Sequence, residues 1–429
     1  MRAKYTFCFL VAVIFFIFPG VSHAITLEEA LNKALTNNLQ ILLEKEKLKE
    51  AEKAKEEAFA GYFPNLALRG SHTHLGELPS IPNPLYPHYG PEKIKVGEQD
   101  TTSFTLSVTQ PVYTGGQLTL ANRQANLNYQ SAKERLSQTQ TEIIFQVKQA
   151  FYSVILAEKN LEITEKALHQ AEAHLEVVES FYRSGRISRF DFLRARVEVA
   201  NLKPDLTYAK NNLDLVRERL ATLLSVDSAL LKVTGELEFE LLDLTLNEAM
   251  ESAYLFRGDL KALKIQREMA KVSVDSARAR NLPSVSFVAN YEYTSGGTGG
   301  WEDSWNASLV LSFPLFDGGK NRAFVEQRES QVRQIALAIS QLQDAIKLEV
   351  KKAFLDMQTA KESLFAQEQN IQQAEEALSI AEARYKIGTI TQIEVLDAQL
   401  ALTRAKLGYT KALYDYNIAK ASLMKAKGG

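Results

Sequence analysis

Residues 117–184 read QLTLANRQANLNYQSAKERLSQTQTEIIFQVKQAFYSVILAEKNLEITEKALHQAEAHLEVVESFYRS, with neither glycine nor proline. Residues 320–387 form a second such run of the same 68-residue length. As helix, each would extend roughly 100 Å at ~1.5 Å per residue. Helices in compact domains average ~12 residues, so an ordinary globular core is excluded. The apolar pattern is heptad-like. Tyr129, Leu136, Ile143, Ala150, Ala157, Ala171 and Val178 form one series, and Val147, Val154, Leu161, Leu168, Leu175 and Tyr182 its companion. This spacing predicts a coiled-coil seam, and its alanines allow close helix approach. Each run stops at a glycine, Gly185 or Gly388, expected to be left-handed. Shorter helical stretches follow at about 189–224 and 390–426. Others precede at 27–60 and 246–281. Stacked end to end, two short stretches match one long one, as antiparallel pairs in a tube wall would.

The chain is a duplication. Pro111, Phe151 and Gly185 lie 203 positions before Pro314, Phe354 and Gly388. Upstream, Leu27 and Pro64 lie 219 positions before Leu246 and Pro283. The extra 16 residues fall between Pro64 and Pro111, where Pro79, Pro82, Pro84, Pro87 and Pro91 cluster. Such a stretch marks an exposed loop. The expected organisation is a signal at 1–24, a first repeat at 25–224, a linker at 225–245 and a second repeat at 246–429.

Met1–Ala24 has the marks of an export signal: Arg2 and Lys4, the apolar run Phe7–Phe18, then Ser22-His23-Ala24. Twelve apolar residues are too few for a spanning helix of ~20. Cleavage would remove the one cysteine, Cys8, and shift the net charge from −2 to −4. No disulfide framework or cysteine-rich metal site is then available. The 50 basic against 52 acidic side chains give no nucleic-acid footprint. No later stretch has 18 uncharged apolar residues. An exported chain of this kind is either soluble or crosses a membrane as a β-barrel.

Four segments alternate, at about 64–76, 101–112, 283–294 and 304–315. Phe104, Leu106 and Val108 interleave with Thr105, Ser107 and Thr109, and Trp305, Ala307 and Leu309 with Asn306 and Ser308. Runs of ~9–11 residues with one polar face fit transmembrane strands. A half-buried soluble sheet would alternate in the same way. Aromatics near the loop ends, among them Tyr291, Tyr293, Trp301 and Trp305, favour a bilayer interface. Four strands cannot close a barrel, since the smallest have ~8. Cyclic assembly of two or three chains supplies 8 or 12, and three leave a lumen. The expected fold class is α plus transmembrane β. Pro64, Pro111, Pro283 and Pro314 are placed at strand–helix junctions, where a fixed φ suits a sharp redirection.

With its duplicated order, its Pro-x-x-x-Gly-Gly strand exits (Pro111–Gly116, Pro314–Gly319) and its Tyr-x-x-Gly tip turns, the chain resembles the TolC family of outer membrane efflux proteins. The run Tyr385–Ala398 is the most family-like. The resemblance covers essentially the whole mature chain. It implies a homotrimer with a 12-stranded barrel in outer membrane lipid and a 12-helix periplasmic tunnel. The implied partners are a periplasmic adaptor and an inner-membrane transporter, the tunnel passing small molecules or proteins outward. It also implies that Glu394 and Asp397 ring the periplasmic constriction, and that Asp191 and Tyr385 latch the entrance. Where the family pattern carries a basic residue near the second tip, this chain has Ile390, which leaves the latch weaker or built on Arg186 or Arg189. Adaptor tips are expected around Arg183, Gly185, Arg186, Ile187, Lys386, Gly388 and Thr389. Segment 225–245, with a short β-like Glu236–Leu242, would join an equatorial belt with the C-terminus.

His72 and His74, two apart on a strand face, and His169 and His174, on a helix, read as polar surface residues. No cofactor or metal motif and no catalytic order is present, so an enzyme is not expected. The rival reading is a soluble exported coiled-coil scaffold or periplasmic adaptor.

Overall fold

The computed structural model describes residues 24–228, 231–296 and 300–429. Apart from Ala24, the export signal expected at 1–24 lies outside the described residues. The elements are β1 (Ala24–Ile25), α1 (Leu27–Asn37), α2 (Leu39–Ala60), β2 (Asn65–His74), β3 (Ser80–Pro82), β4 (Lys93–Lys95), β5 (Asp100–Tyr113), α3 (Gln117–Arg183), α4 (Arg189–Leu224), β6 (Lys232–Val233), α5 (Leu246–Phe256), α6 (Gly258–Ala279), β7 (Ser284–Gly296), β8 (Trp301–Ser312), α7 (Lys320–Lys386) and α8 (Gln392–Ala426). Two compact units are built from them. One takes residues up to 42 with 139–255 and 347–429, the other residues 43–138 and 256–346. The long helices α3 and α7 have 67 residues each and contribute to both.

In the first unit the heptad series become the core. Ile143, Val147, Ala150, Val154, Ala157, Ala171 and Val178 of α3 are buried, as are Val350, Ala353, Met357, Ala360, Leu364, Leu378 and Ala381 of α7. Pro204 sits inside α4, which runs through it with one backbone donor fewer. The segment after β6 differs from expectation. The strand is Lys232–Val233, paired in parallel with β1, whereas 236–242 forms no strand. That stretch is held by α8 instead. The Tyr416 hydroxyl donates to Glu240 O at 2.9 Å, Asn417 Nδ2 donates to Glu238 O at 3.1 Å, and Lys420 meets the Glu240 carboxylate at 2.6 Å. Phe239 packs on Tyr416 with ring centroids 4.8 Å apart.

Each leading helical stretch is two helices rather than one. The first breaks at Asn38 (φ −61°, ψ 127°), whose amide donates to Leu223 O at 2.9 Å and accepts from Gln40 N at 3.0 Å. The second breaks at Arg257 (φ −60°, ψ 123°), which pairs with Asp259 at 2.6 Å. Asn38 and Arg257 are themselves 219 positions apart.

The second unit holds a four-stranded antiparallel sheet of order β2-β5-β7-β8. Its register sorts the faces, because directly opposed residues point the same way. Leu68–Leu106–Tyr291–Trp305 and Leu66–Val108–Ala289–Ala307 run across one face. Arg69–Thr105–Glu292–Ser304 and Ala67–Ser107–Asn290–Asn306 run across the other. The apolar face is open, with Leu68 73 % and Trp305 76 % exposed. Strands β2 and β8 are the edges and have no second partner among the described residues. The Pro-rich loop carries a small hairpin, β3–β4, absent from the sequence expectation.

Pro64, Pro283 and Pro314 lie between strand and helix. Pro111 does not: β5 continues to Tyr113, and Pro111 sits where the β5–β7 register shifts. A bulge tolerates a residue with no N–H. Gly115 then turns the chain with φ +60°, and a Cβ there would lie 2.8 Å from Leu282 Cβ.

Phe151 is 2 % exposed and lies under Gly235. Phe151→Ala is expected to cost about 3–5 kcal/mol, seen as a lower thermal midpoint of the purified protein and earlier proteolysis within 231–242.

Candidate functional site

The first unit presents two helix tips built alike. At the first, Arg186 N donates to Phe181 O at 2.9 Å and Gly185 N to Tyr182 O at 3.0 Å. At the second, Thr389 N donates to Arg384 O at 3.0 Å and Gly388 N to Tyr385 O at 2.9 Å. Both are complete Schellman turns, with Gly185 at φ +73° and Gly388 at φ +77°. A Cβ would meet nothing at either glycine, so the backbone angle alone requires them. Around the first tip, Arg186 lies 4.5 Å over the Phe181 ring and Arg183 pairs with Glu179 at 2.6 Å. Ile187 is half-buried; Arg183, Arg186, Lys386 and Thr389 are exposed.

Each returning helix starts with a capped turn. The Asp191 carboxylate accepts from the Ser188 hydroxyl at 2.7 Å, and Asp191 N donates back to Ser188 Oγ at 3.2 Å. The Glu394 carboxylate accepts from Thr391 N at 2.8 Å and from its hydroxyl at 2.9 Å. Asp191 and Glu394 are 203 positions apart and hold the same structural post. The pattern recurs at Thr26/Glu29 and Thr245/Glu248. Ser/Thr-x-x-Asp/Glu before a helix is legible in sequence, but sequence reasoning gave Asp191 and Glu394 only channel roles. The Thr391 bonds hold the Glu394 carboxyl below its ordinary range. Asp397 stands exposed one turn on.

Tyr385 packs at the end of α7 against His174 (5.4 Å) and Phe181 (6.1 Å) of α3. Its hydroxyl is buried without a partner. Asp191 is spent on its own cap and makes no hydrogen bond to Tyr385 among those described. Burial, then the Asp191 charge, pushes the Tyr385 hydroxyl's pKa up. His174 departs from the surface role expected of it: it is half-buried, its Nε2 has no partner, and burial pushes its pKa down. Gln392, 5 % exposed, likewise has an unpartnered side-chain amide. His169 is exposed. At the far end of the sheet His72 and His74 are exposed, and Asp100 on the adjoining strand accepts from His74 Nδ1 at 2.7 Å. Among the described residues, no group of three or more His, Cys, Asp or Glu is arranged to hold a metal ion.

A sheet with one apolar and one polar face and two unpaired edges, continued by hairpins of very long helices, is the subunit architecture of outer membrane channels. The chain belongs to the outer membrane efflux protein family, matching it over residues 30–226 and 250–429. It is 24% identical to the outer membrane protein TolC of Vibrio cholerae over 77% of each chain. It is 23% identical to the cation efflux system protein CusC of Escherichia coli K12 over 93% of this chain and 85% of that one. Among solved structures it resembles the Campylobacter jejuni CmeC outer membrane channel, with a TM-score of 0.80, 17% identity and 94% and 85% coverage. It also resembles VceC of Vibrio cholerae, with a TM-score of 0.77, 21% identity and 94% and 96% coverage. The protein is thus an efflux channel of the outer membrane, and the soluble scaffold or adaptor reading is set aside.

Below the ordinary imidazole range an unfolded His174 takes up a proton that the folded one resists, so stability falls as pH drops towards the folded value. His174→Phe is expected to flatten the acid limb of the stability–pH curve, measured by thermal melts across pH 4–8, a range spanning the ordinary value of ~6.5.

Proposed function

We propose that three copies of the chain close one 12-stranded barrel and one periplasmic tunnel, forming the exit duct of a tripartite efflux or type I secretion assembly. The observation that carries this reading is the four-stranded sheet with an open apolar face and two free edges. Unpaired backbone groups are not tolerated against lipid. Edge β2 of one copy therefore pairs with edge β8 of the next, and the apolar face turns to lipid while the polar face lines the lumen.

The helix tips form the entrance. Three copies bring six carboxylates, Glu394 and Asp397, around it. Glu394 is suited to the role because the Thr391 bonds both fix its position and keep it ionised at lower pH. The periplasmic adaptor docks on Arg183, Gly185, Arg186, Ile187, Lys386, Gly388 and Thr389, with the inner-membrane transporter beyond it. A latch on Asp191 and Tyr385 has no basic residue at Ile390 to help it. Within the chain Asp191 is bonded in its own cap while the Tyr385 hydroxyl has no partner, so the latch is weak or built on Arg186 or Arg189. The unpartnered atoms of His174, Tyr385 and Gln392 fit an entrance whose contacts change between states.

Two experiments test this. The purified protein is expected to conduct in planar bilayers with cation preference, whereas recovery in the soluble fraction without detergent would contradict the channel. Glu394→Gln with Asp397→Asn is expected to reduce cation selectivity and block by multivalent cations. Unchanged selectivity and block would remove these residues from the entrance.

A further inference from the structure

The junction between β8 and α7 carries a feature that the duct reading does not use. An open cleft of about 630 Å³ is lined by Arg280, Asn281 and Lys320, with Phe324 and Asp317 at its wall. Two cations face it without a carboxylate partner among the described residues. The Arg280 guanidinium lies over the Phe324 ring, 4.2 Å from its centroid, and that of Arg328 lies 4.7 Å from the same centroid. Lys320 is exposed at the first position of α7. The acid in the cleft is already committed: the Asp317 carboxylate accepts from Gly319 N at 2.9 Å and Asn321 N at 2.8 Å. It closes the helix start and makes no ion pair with Arg280 or Lys320 among the described residues, so the cleft holds two cations against one carboxylate.

The repeat supplies an internal control. At the corresponding positions of the first repeat stand Gly61 for Arg280, Gln117 for Lys320 and Ala121 for Phe324. The first repeat has no cation at these three positions, and Gln117 instead spends its amide on Ser276 O at 2.7 Å and on the Ser276 hydroxyl at 2.8 Å. The positions of Arg280 and Lys320 are thus filled by uncharged residues in the first repeat, where the same strand–helix order is kept. Between Pro314 and Asp317, which both line the cleft, Leu315 is 84 % and Phe316 90 % exposed, a few residues after the last pair of the sheet at Ser312. A cationic cleft next to bare apolar side chains, at the level where the strands end, matches a ligand with an anionic head and an apolar tail.

We propose that this junction binds one anionic phospholipid per chain. Its phosphodiester lies between Arg280 and Lys320, and its acyl chains lie along Leu315 and Phe316. The planar guanidinium suits two phosphate oxygens at once, and the ammonium adds a point charge. A free phosphate ion would use the cations but leave the apolar linker bare. This inference rests on the sheet lying in the membrane.

The test is the lipid retained by the whole purified channel. Protein is equilibrated in mixed micelles containing equal phosphatidylglycerol and phosphatidylcholine, passed through size exclusion, and its co-eluting lipid quantified by mass spectrometry. The wild-type chain is expected to retain phosphatidylglycerol about ten-fold or more over phosphatidylcholine, from roughly 1 kcal/mol per cation. Lys320→Gln leaves the Phe324 stack intact and is expected to lower the ratio, and Arg280→Gln with Lys320→Gln to bring it near one. Equal retention of both lipids by the wild type, or an undiminished ratio in the double variant, would overturn the proposal. So would loss of the preference on adding inorganic phosphate alone in modest excess. Planar-bilayer conductance of the same preparations reports separately on the duct: failure to conduct counts against the duct, while the lipid ratio still decides the site.

Discussion

A strand at the edge of a sheet presents a row of unpaired N–H and C=O groups, and in hydrocarbon each costs several kcal/mol. This constraint organises the molecule. The sheet β2-β5-β7-β8 has an apolar face fit for lipid and yet ends on two bare strands. One chain cannot satisfy it, whatever its helices do. Everything that makes the protein a channel rather than a helical rod follows from the way those edges are met.

The duplication builds that sheet economically. Each repeat supplies two strands of the four-stranded sheet and one long helix with its shorter companions, at offsets of 203 or 219 positions. The repeats also share their small devices: breaks at Asn38 and Arg257, capping acids at Asp191 and Glu394, tip glycines at Gly185 and Gly388. Where the copies diverge, specialisation is visible. The first repeat carries the Pro-rich loop with β3–β4, and the second carries the cationic junction at Arg280 and Lys320. At Glu394 the cap and the proposed ring are compatible, since a carboxylate fixed by a cap is held in place and held charged.

Much of this was legible in the residues. The glycine- and proline-free runs and their heptads gave the long helices, because 3.5-residue periodicity over many turns has few other meanings. Strict alternation placed the strands, although β8 begins and ends earlier than expected, with Phe313 and Pro314 outside it. Pro111 was misplaced because a bulge cannot be read from one strand without its partner. The breaks at Asn38 and Arg257 were missed because helical periodicity persists across a one-residue interruption. The capping boxes were visible as Ser188-x-x-Asp191 and Thr391-x-x-Glu394 but were overshadowed by the channel roles assigned to the same acids. The half-burial of His174 depends on Tyr385, more than 200 positions away, and no local pattern carries it.

The number of chains per barrel decides the matter most directly. Native mass spectrometry of the detergent-solubilised protein counts them. The account predicts three chains per particle, held together until the detergent denatures the strands. A particle of one chain, or of two, would contradict it, because neither provides twelve strands to join the two free edges around a lumen.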